Sequence, residues 1–229
     1  MNNGTPKENA EMYFELLPFA KEHNVKIATE NMWNWSNFLK HSKFAACATP
    51  KSFNEHLDAV NDDYFVACLD IGHAEMKGSK TNAPEMIRAL GNRLKALHIH
   101  DNDKLHDSHQ IPFSMDIDFV AVVKALKEIG YDGYFTLEAS SYLESFSKDD
   151  VTKGVEDLKN AAQKLANMFD ISIEELIYSR ELGILENRNY YVQLLEEKDK
   201  ADFCNLMREH RYMGKMLKFI DKMGKRFDA

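Results

Sequence analysis

The sequence has few cysteines and no excess of basic charge, and both shortages exclude classes of protein. Its three cysteines, Cys47, Cys68 and Cys204, are far apart and form no Cys-x-x-Cys pair, so neither a disulfide framework nor a thiolate zinc site is encoded. Across 229 residues there are 37 Asp and Glu against 29 Lys and Arg, a net charge of −8. This balance argues against a protein that coats nucleic acid or an anionic membrane.

Long apolar runs and glycine-rich phosphate loops are missing as well. No window reaches the roughly 18 uninterrupted apolar residues that a membrane-spanning helix needs. The N-terminal region is charged throughout and lacks the apolar core of a signal peptide. We therefore expect a soluble protein in the reducing cytoplasm. Hydrophobic residues make up 44% of the chain, which is enough for a folded core.

Short β-rich segments alternate with helical patterns in the first part of the chain. The predicted strands span 25–29, 64–69, 94–98 and 133–137, and the predicted helices span 7–23, 50–60, 83–90, 117–129 and 150–168. This alternation predicts βαβ units and a parallel sheet. After about Asp170 the pattern becomes continuously helical and opens with a capping box at Ser172 and Glu175. We predict two parts, residues 1–168 and a helical extension, residues 169–229.

Potential metal ligands follow every predicted strand. In chain order they are Glu30, Asp70 and His73, His98 with His100 and Asp101, and Glu138. Because the carboxyl ends of parallel strands meet at one edge, these side chains are expected to converge. Alone, each has an ordinary explanation such as a helix cap, a surface charge or a hydrogen-bonded histidine. Together they favour a mixed oxygen and nitrogen site for Mn²⁺, Mg²⁺, Co²⁺ or Zn²⁺.

Five motifs carry a resemblance to a known family. The runs ENM, LDIGHA, HIHDND, DSH and IGYDGYFTLE occur in this order, and over about residues 5–165 the sequence resembles the xylose isomerase-like superfamily of TIM barrels. That superfamily includes sugar and sugar-phosphate isomerases and epimerases, and metal-dependent apurinic endonucleases. The resemblance implies one divalent metal ion held by Glu30, Asp70, His98 and Glu138. His100 is the alternative ligand if the register of the third strand is shifted by two.

The resemblance also implies substrate contacts. The residues expected to make substrate contacts are His73, His100, Asp107 and His109, and from their positions in the chain also Trp33 and Lys104. For Lys104 the alternative is a plain surface lysine. His73 resembles a substrate-contacting histidine of the epimerases. Asp107 and His109 resemble an Asp-x-His pair that binds an additional zinc in the endonucleases and recurs in epimerase-like members. Trp33, with Trp35, is a candidate wall against a sugar ring, and the alternative for both is plain packing.

The matched segment corresponds to the C-terminal half of the family fold. A complete barrel has eight strands and about 250 residues, whereas this sequence contains about four βα units. We therefore predict an α/β fold, a partial (half) TIM barrel followed by an all-helical C-terminal extension. A four-stranded sheet cannot close, so its outer strands would leave unpaired edges. These edges would be covered by a homodimer or other self-association, by the helical extension, or by the rest of a longer protein. The segment IPFSMDIDF also lacks a glycine that the family often has before its IDF turn.

The expected function is isomerisation or epimerisation of a sugar or sugar-phosphate by proton abstraction next to a carbonyl. A divalent ion would stabilise the enediolate, and Glu30 and Glu138 would be the catalytic residues that remove and return the proton. Two alternatives stay open. One is a catalytically incomplete half-barrel, either truncated or an assembly subunit. The other is an apurinic endonuclease-like phosphodiesterase, which the acidic balance disfavours because a DNA groove needs positive potential.

Overall fold

The computed structural model describes residues 4–36, 41–43 and 45–170, which form an alternating series of helices and strands. In chain order these are α1 (Pro6–Glu22), β1 (Ile27–Glu30), β2 (Trp35–Ser36), β3 (His41–Ser42), α2 (Pro50–Val60), β4 (Phe65–Asp70), α3 (Ile71–Glu75), α4 (Ala83–Leu90), β5 (Leu94–His98), α5 (Phe119–Glu128), α6 (Ser140–Glu144) and α7 (Val151–Asp170). A 3-10 turn, Gly91–Arg93, leads into β5. The helices predicted at 50–60 and 83–90 are confirmed to the residue.

Three parallel strands form the centre of the fold, in the order β1-β4-β5. Glu30 pairs with Cys68 across the first junction, and Asp70 pairs with His98 across the second. All six residues of β4 are buried, as expected for the middle strand of a parallel sheet. This register brings three of the predicted metal ligands to the carboxyl end of the sheet.

The strand predicted at 133–137 is reduced to a single bridge. Leu137 pairs in parallel with Ile99. The Ile99 N–H donates to the Thr136 carbonyl at 2.9 Å, and the Glu138 N–H donates to the Ile99 carbonyl at 2.9 Å. The predicted parallel neighbour therefore exists only at its carboxyl end, which is the end that positions Glu138.

A local side-chain contact accompanies the unpaired amino end of that segment. The Tyr131 hydroxyl donates a hydrogen bond of 3.0 Å to the Tyr134 carbonyl. The segment thus curls towards its own preceding turn, and Tyr134 is 88% exposed. The short antiparallel pair of β2 and β3 is also absent from the sequence prediction, because two-residue strands carry no periodic signal.

Polar caps fix the start of the long helices. Thr5 accepts the Glu8 N–H while the Glu8 carboxylate accepts the Thr5 N–H, which completes a capping box at α1. Thr49, Asn82 and Asp118 accept an N–H from the first turns of α2, α4 and α5. Each cap satisfies a backbone donor that the helix itself leaves unpaired. The helix starts, and hence the loops before them, are set locally.

The helices pack on one another in a series, α1 with α2, α2 with α4, α4 with α5 and α5 with α7. The largest fully buried apolar side chains are Phe53, Leu69, Ile71, Met76, Met86, Ile87, Leu90, Leu94, Leu97, Ile99, Leu126 and Leu165. Burying one such side chain contributes about 1.5–3 kcal/mol. These residues hold the strands in place beneath the polar end of the sheet.

Several large apolar side chains near α1 are exposed, namely Phe14, Leu16, Phe19 and Val25.

The predicted self-association and the cytoplasmic location stay predictions. The helical extension lies outside the described residues from residue 171 onward, so the predicted division at 168 is likewise untested. No helix among the described residues is long and apolar enough to cross a membrane.

Candidate metal centre

Four predicted metal ligands lie together at the carboxyl end of the sheet. Glu30, Asp70, His98 and Glu138, here called the glutamate cluster, each offer one ligand atom, and these atoms lie within 4.8 Å of one another. Glu30, Asp70 and His98 are the last residues of β1, β4 and β5, and Glu138 follows the bridge residue Leu137. The register therefore brings in His98 rather than its alternative, His100.

Two buried carboxylate oxygens in the glutamate cluster receive no hydrogen bond from a described residue. The His98 Nδ1 atom is 3.0 Å from Glu30 Oε1 and 3.0 Å from Glu138 Oε2, but its single proton bonds only to Glu30. Glu138 Oε2 and Asp70 Oδ2 are buried and accept no hydrogen bond from a described residue, so the charge of His98 is the one partner of Glu138 Oε2 among these residues. Buried anionic oxygens without a hydrogen-bond donor are costly. Three carboxylates and one imidazole suit a divalent ion, so the donor set fits the implied metal.

The charge state of His98 reflects the same concentration of negative charge. Hydrogen bonds with the Cys68 thiol and the Glu30 carboxylate raise the pKa of His98 to about 11, although burial opposes this. Without an ion, the imidazolium supplies the positive charge among the carboxylates. A metal ion would take over this role when it displaces the ring proton.

Asp70 is fixed from several sides. Its backbone N–H donates to Asn31 Oδ1 at 2.8 Å, and Asn31 Nδ2 donates to its carbonyl at 2.9 Å. Its Oδ1 accepts the His73 N–H at 2.7 Å and lies 3.2 Å from His100 Nε2. Burial opposes ionisation, but the contacts with His100 and His73 hold the pKa of Asp70 below its usual range. Sequence reasoning misses the role of Asn31, although this residue lies in the ENM motif.

A second group of ligand-type side chains adjoins the first. His73, His100, Asp107 and His109, here called the histidine cluster, also offer one ligand atom each within 4.8 Å of one another. His73 Nε2 lies 3.1 Å from Asp107 Oδ2, and the His100 and His109 rings stack with centroids 4.0 Å apart. The structure thus brings together four of the six residues predicted to contact substrate.

Carboxylates also set the charge of the histidine cluster. Burial opposes protonation of His73, but the hydrogen bond with Asp107 and the charge of Asp70 raise its pKa to about 9. Asp70 likewise raises the pKa of His100 against the effect of burial. His109 Nδ1 is 2.8 Å from the Glu138 carbonyl oxygen, so the backbone of the glutamate cluster also orients this ring.

The His100 ring occupies space that only glycine leaves open. A Cβ atom at Gly72 would lie 2.0 Å from His100 Cε1. The Gly72 carbonyl accepts a 3.1 Å hydrogen bond from Asn102 Nδ2, which ties α3 to the loop after β5. The glycine of the LDIGHA motif is therefore required by this close approach.

Asp101, a potential ligand by sequence, has a structural role instead. Its carboxylate accepts the N–H groups of Asn102, Met115 and Ile117, at 2.8 to 3.1 Å, and lies in neither cluster. It is fully buried, and burial raises its pKa. Asp101 holds together the base of the loop that carries Asp107 and His109.

The remaining predicted substrate contacts lie around the clusters. The Trp33 and Trp35 rings stack with centroids 6.0 Å apart, and Trp33 lines a cavity. Lys104 Nζ lies 3.0 Å from Glu75 Oε2, so the lysine forms an ion pair within the chain. Substrate contact by Trp33 and Lys104 stays a prediction.

The order of these elements and ligands matches a known family. A model of the xylose isomerase-like TIM barrel family covers residues 6–168. The chain belongs to this family. Among curated proteins, an uncharacterised protein of Methanocaldococcus jannaschii is 29% identical over 139 residues, which is 61% of this chain and 45% of that protein. One of Sinorhizobium fredii is 30% identical over 133 residues, 53% of this chain and 39% of that protein.

Solved structures of the xylose isomerase-like fold include sugar epimerases. A D-tagatose 3-epimerase-like protein aligns with a TM-score of 0.53 and 26% identity, over 71% of this chain and 56% of that one. An L-ribulose 3-epimerase aligns with a TM-score of 0.52 and 18% identity, over 77% and 57% of the two chains. The second likeness shows the fold alone. The chain spans about half the length of the relatives it matches.

Proposed function

We propose that this chain supplies the metal-binding half of a sugar isomerase or epimerase that works by proton transfer next to a carbonyl. The observation that carries the proposal is the glutamate cluster, whose four ligand atoms lie within 4.8 Å and whose buried oxygens on Asp70 and Glu138 lack donors among the described residues. Similarity to the D-tagatose 3-epimerase-like protein supports the substrate class. The proposed metal is one ion of Mn²⁺, Mg²⁺, Co²⁺ or Zn²⁺.

Burial separates the roles of the carboxylates. The Asp70 side chain is fully buried and cannot touch a substrate, so its role is to hold the ion. The side chains of Glu30 and Glu138 remain 25% and 41% exposed. They come from the first and last segments of the sheet. We assign one of them to remove the carbon-bound proton and the other to return a proton. When bound, the ion would stabilise negative charge developing on the substrate oxygens.

Neighbouring residues would keep this arrangement rigid. Asn31 fixes the backbone of Asp70, and the His109 ring contacts the carbonyl of Glu138. The His73 ring lies between the Asn31 carbonyl and the Asp107 carboxylate, so its proposed contact with a substrate hydroxyl would run through Asp107. Rigid placement of Glu30 and Glu138 would hold these carboxylates in the geometry that proton transfer needs.

Metal content and proton exchange test the proposal. Wild-type protein dialysed against Mn²⁺ is expected to hold about one ion per chain, as a single mononuclear site would. It is also expected to exchange the proton next to the carbonyl of a ketose with solvent deuterium, followed by NMR. Glu138→Gln should lose both properties. Glu144→Gln, an exposed glutamate six residues away, is the matched control and should keep both.

Different failures have different meanings. Wild-type protein that binds no Mn²⁺, or a Glu138→Gln variant that binds it as well as wild type, would refute the metal site. Normal metal binding without any deuterium exchange would refute the catalytic proposal. That result would favour the catalytically incomplete half-barrel instead.

The histidine cluster favours a second candidate, a metal-dependent phosphodiesterase. Two adjoining ligand groups are what two-metal hydrolysis requires. Such a protein would hold about two ions per chain and cut DNA at an abasic site, and His109→Asn would remove one ion and the cleavage. The net charge of −8 weighs against this candidate. Cleavage of abasic DNA without ketose exchange would reverse the order of the two candidates.

A further inference from the structure

A cavity of about 320 Å³ lies beside the loop after β1, and no residue of the glutamate cluster or the histidine cluster lines it. Its walls come from the loop after β1, the segment that leads into α2, and the loop after α3. Trp33 in the first wall is three residues beyond Glu30, so their Cα atoms are at most about 11 Å apart. Ser79 in the third wall donates a 3.3 Å hydrogen bond to the His73 carbonyl. The cavity is therefore connected to Glu30 and to His73 through residues that lie close to them in the chain or bond to their backbone.

The charge on the described walls of the cavity is wholly positive. Lys43 and Lys80 line it, and no Asp or Glu is among the described residues of its walls. Neither lysine forms an ion pair with a described residue. Lys95, by contrast, is bound to Asp132, although lysines such as Lys26 and Lys77 also lack an ion pair with a described residue. In a chain of net charge −8, two lysines without a described acidic partner at one cavity form a local site for an anion.

Neutral donors complete the lining. The Ser52 hydroxyl has no partner among the described residues, and the Thr49 hydroxyl oxygen accepts the Ser52 N–H at 3.2 Å, which leaves its proton free to donate. Trp33 Nε1 is buried and has no acceptor among the described residues. Because that atom is shielded from solvent, the neutral donors that a ligand in the cavity could reach are the two hydroxyl groups.

We propose that this cavity binds a phosphate group, so that the substrate of the neighbouring site is a phosphorylated ketose. The substrate assignment rests on the proposed function, whereas phosphate binding itself does not. Lysine ammonium groups act as point charges that suit a phosphate dianion. A phosphate offers three oxygens to these ammonium and hydroxyl donors, whereas a carboxylate offers two. Lysines and hydroxyls here take the place of the glycine-rich loop that the sequence lacks.

Calorimetric titration of the full chain with inorganic phosphate tests the proposal. Metal is first removed with a chelator, so that an ion in the glutamate cluster cannot bind the phosphate. The double variant Lys43→Gln/Lys80→Gln is expected to bind phosphate at least about tenfold more weakly, because both charges are lost. Lys77→Gln is the matched control, since Lys77 is exposed next to the third wall but does not line the cavity.

A second titration separates the phosphate site from the metal site. Glu138→Gln should bind inorganic phosphate as wild type does, even though it loses metal. Wild type should prefer a ketose phosphate to the free ketose, and the double lysine variant should lose that preference. Circular dichroism spectra matching those of wild type show that the variants are folded.

Three outcomes would overturn the proposal. They are no saturable phosphate binding by wild type, wild-type affinity in the double lysine variant, and acetate bound as tightly as phosphate. Phosphate binding lost in Glu138→Gln but kept in the lysine variant would place the anion at the glutamate cluster, and also contradicts it. If phosphate binds as expected but no ketose exchanges its proton, only the proposed function fails.

Discussion

The two ends of the parallel sheet handle charge in opposite ways. At the amino end, oppositely charged side chains are paired, as in Lys21–Asp62, Arg93–Asp58 and Lys95–Asp132. At the carboxyl end, three carboxylates gather around one imidazole, and two of their buried oxygens accept no hydrogen bond from a described residue. The charges at the amino end are paired within the chain, whereas the carboxyl end keeps buried carboxylate oxygens that would suit the proposed ion.

This contrast teaches how to tell structural from functional charge in a barrel family. Charges that support folding find partners inside the chain. Charges that serve a ligand are held in place by hydrogen bonds to one atom while another atom is left without a partner. Asp70 shows this, since its Oδ1 is hydrogen-bonded and its Oδ2 has no donor among the described residues. In α/β barrels the carboxyl end of the strands is where binding and catalysis are found.

The largest expected effect is that of Mn²⁺ on stability. An ion bound only by the folded chain stabilises it by about 2.7 kcal/mol at a concentration of 100 Kd. We expect Mn²⁺ to raise the thermal midpoint of wild type and to have no such effect on Asp70→Asn. Scanning calorimetry with and without Mn²⁺ measures this.

The amino end provides the matched control for that experiment. Asp58→Asn makes the same carboxylate-to-amide change in the exposed pair with Arg93, where a small loss of stability is expected. It should keep the full Mn²⁺ effect. The contrast between the ends would be broken if Asp70→Asn still responded to Mn²⁺, or if Asp58→Asn did not.

A smaller effect is expected from Gly72→Ala. The added methyl group would meet the His100 ring, and overpacking of this kind costs about 1–3 kcal/mol. Chemical denaturation measures the loss. In a His100→Ala background the same substitution should cost much less, since the ring that it meets is gone.

Gly130→Ala is the control for backbone strain. Gly130 has a φ of +64°, and no atom lies within 4 Å of the position that an added methyl group would take. Only the left-handed conformation is therefore penalised, by about 1 kcal/mol. Its cost should not depend on His100. An equal cost of Gly72→Ala with and without the His100 ring would show that the ring contact is not the cause.

The smallest expected effect is at the amino end and depends on pH. Hydrogen bonds from Lys21 and from the Tyr64 backbone lower the pKa of Asp62 in the folded chain. A carboxyl group with a lowered pKa stabilises the fold above its unfolded pKa, and this contribution is lost as pH falls through the folded value. Asp62→Asn should therefore lower the thermal midpoint slightly at neutral pH and not at strongly acid pH. A difference that grows on acidification would contradict this.

The sequence alone predicts the helices whose ends are set by residues next to them in the chain. Helices α2 and α4 can be predicted to the residue because Thr49 and Asn82 are strong caps, each followed within two residues by a proline. The segment 133–137 cannot, since it pairs only at Leu137 while the Tyr131 hydroxyl bonds to the Tyr134 carbonyl. Periodicity does not encode a contact of that kind.

The candidate site also has one part that the sequence predicts and one part that it does not. The grouping of Glu30, Asp70, His98 and Glu138 can be predicted, because strand ends at one edge of a parallel sheet meet. The histidine cluster cannot be assembled from spacing alone. Its members Asp107 and His109 lie on a loop whose path depends on the backbone N–H groups that Asp101 accepts. The roles of all these residues stay proposals until the experiments above are done.

Asp70 is shared between the two clusters, which makes them thermodynamically linked. Its Oδ1 contacts His73 and His100, and the residue also contributes a ligand atom to the glutamate cluster. A ligand that polarises or moves one oxygen of the Asp70 carboxylate also changes the charge or position of the other oxygen. By reciprocity, a ligand bound at the histidine cluster changes affinity at the glutamate cluster by the same factor as the reverse. One carboxylate would thus couple binding at the two proposed sites.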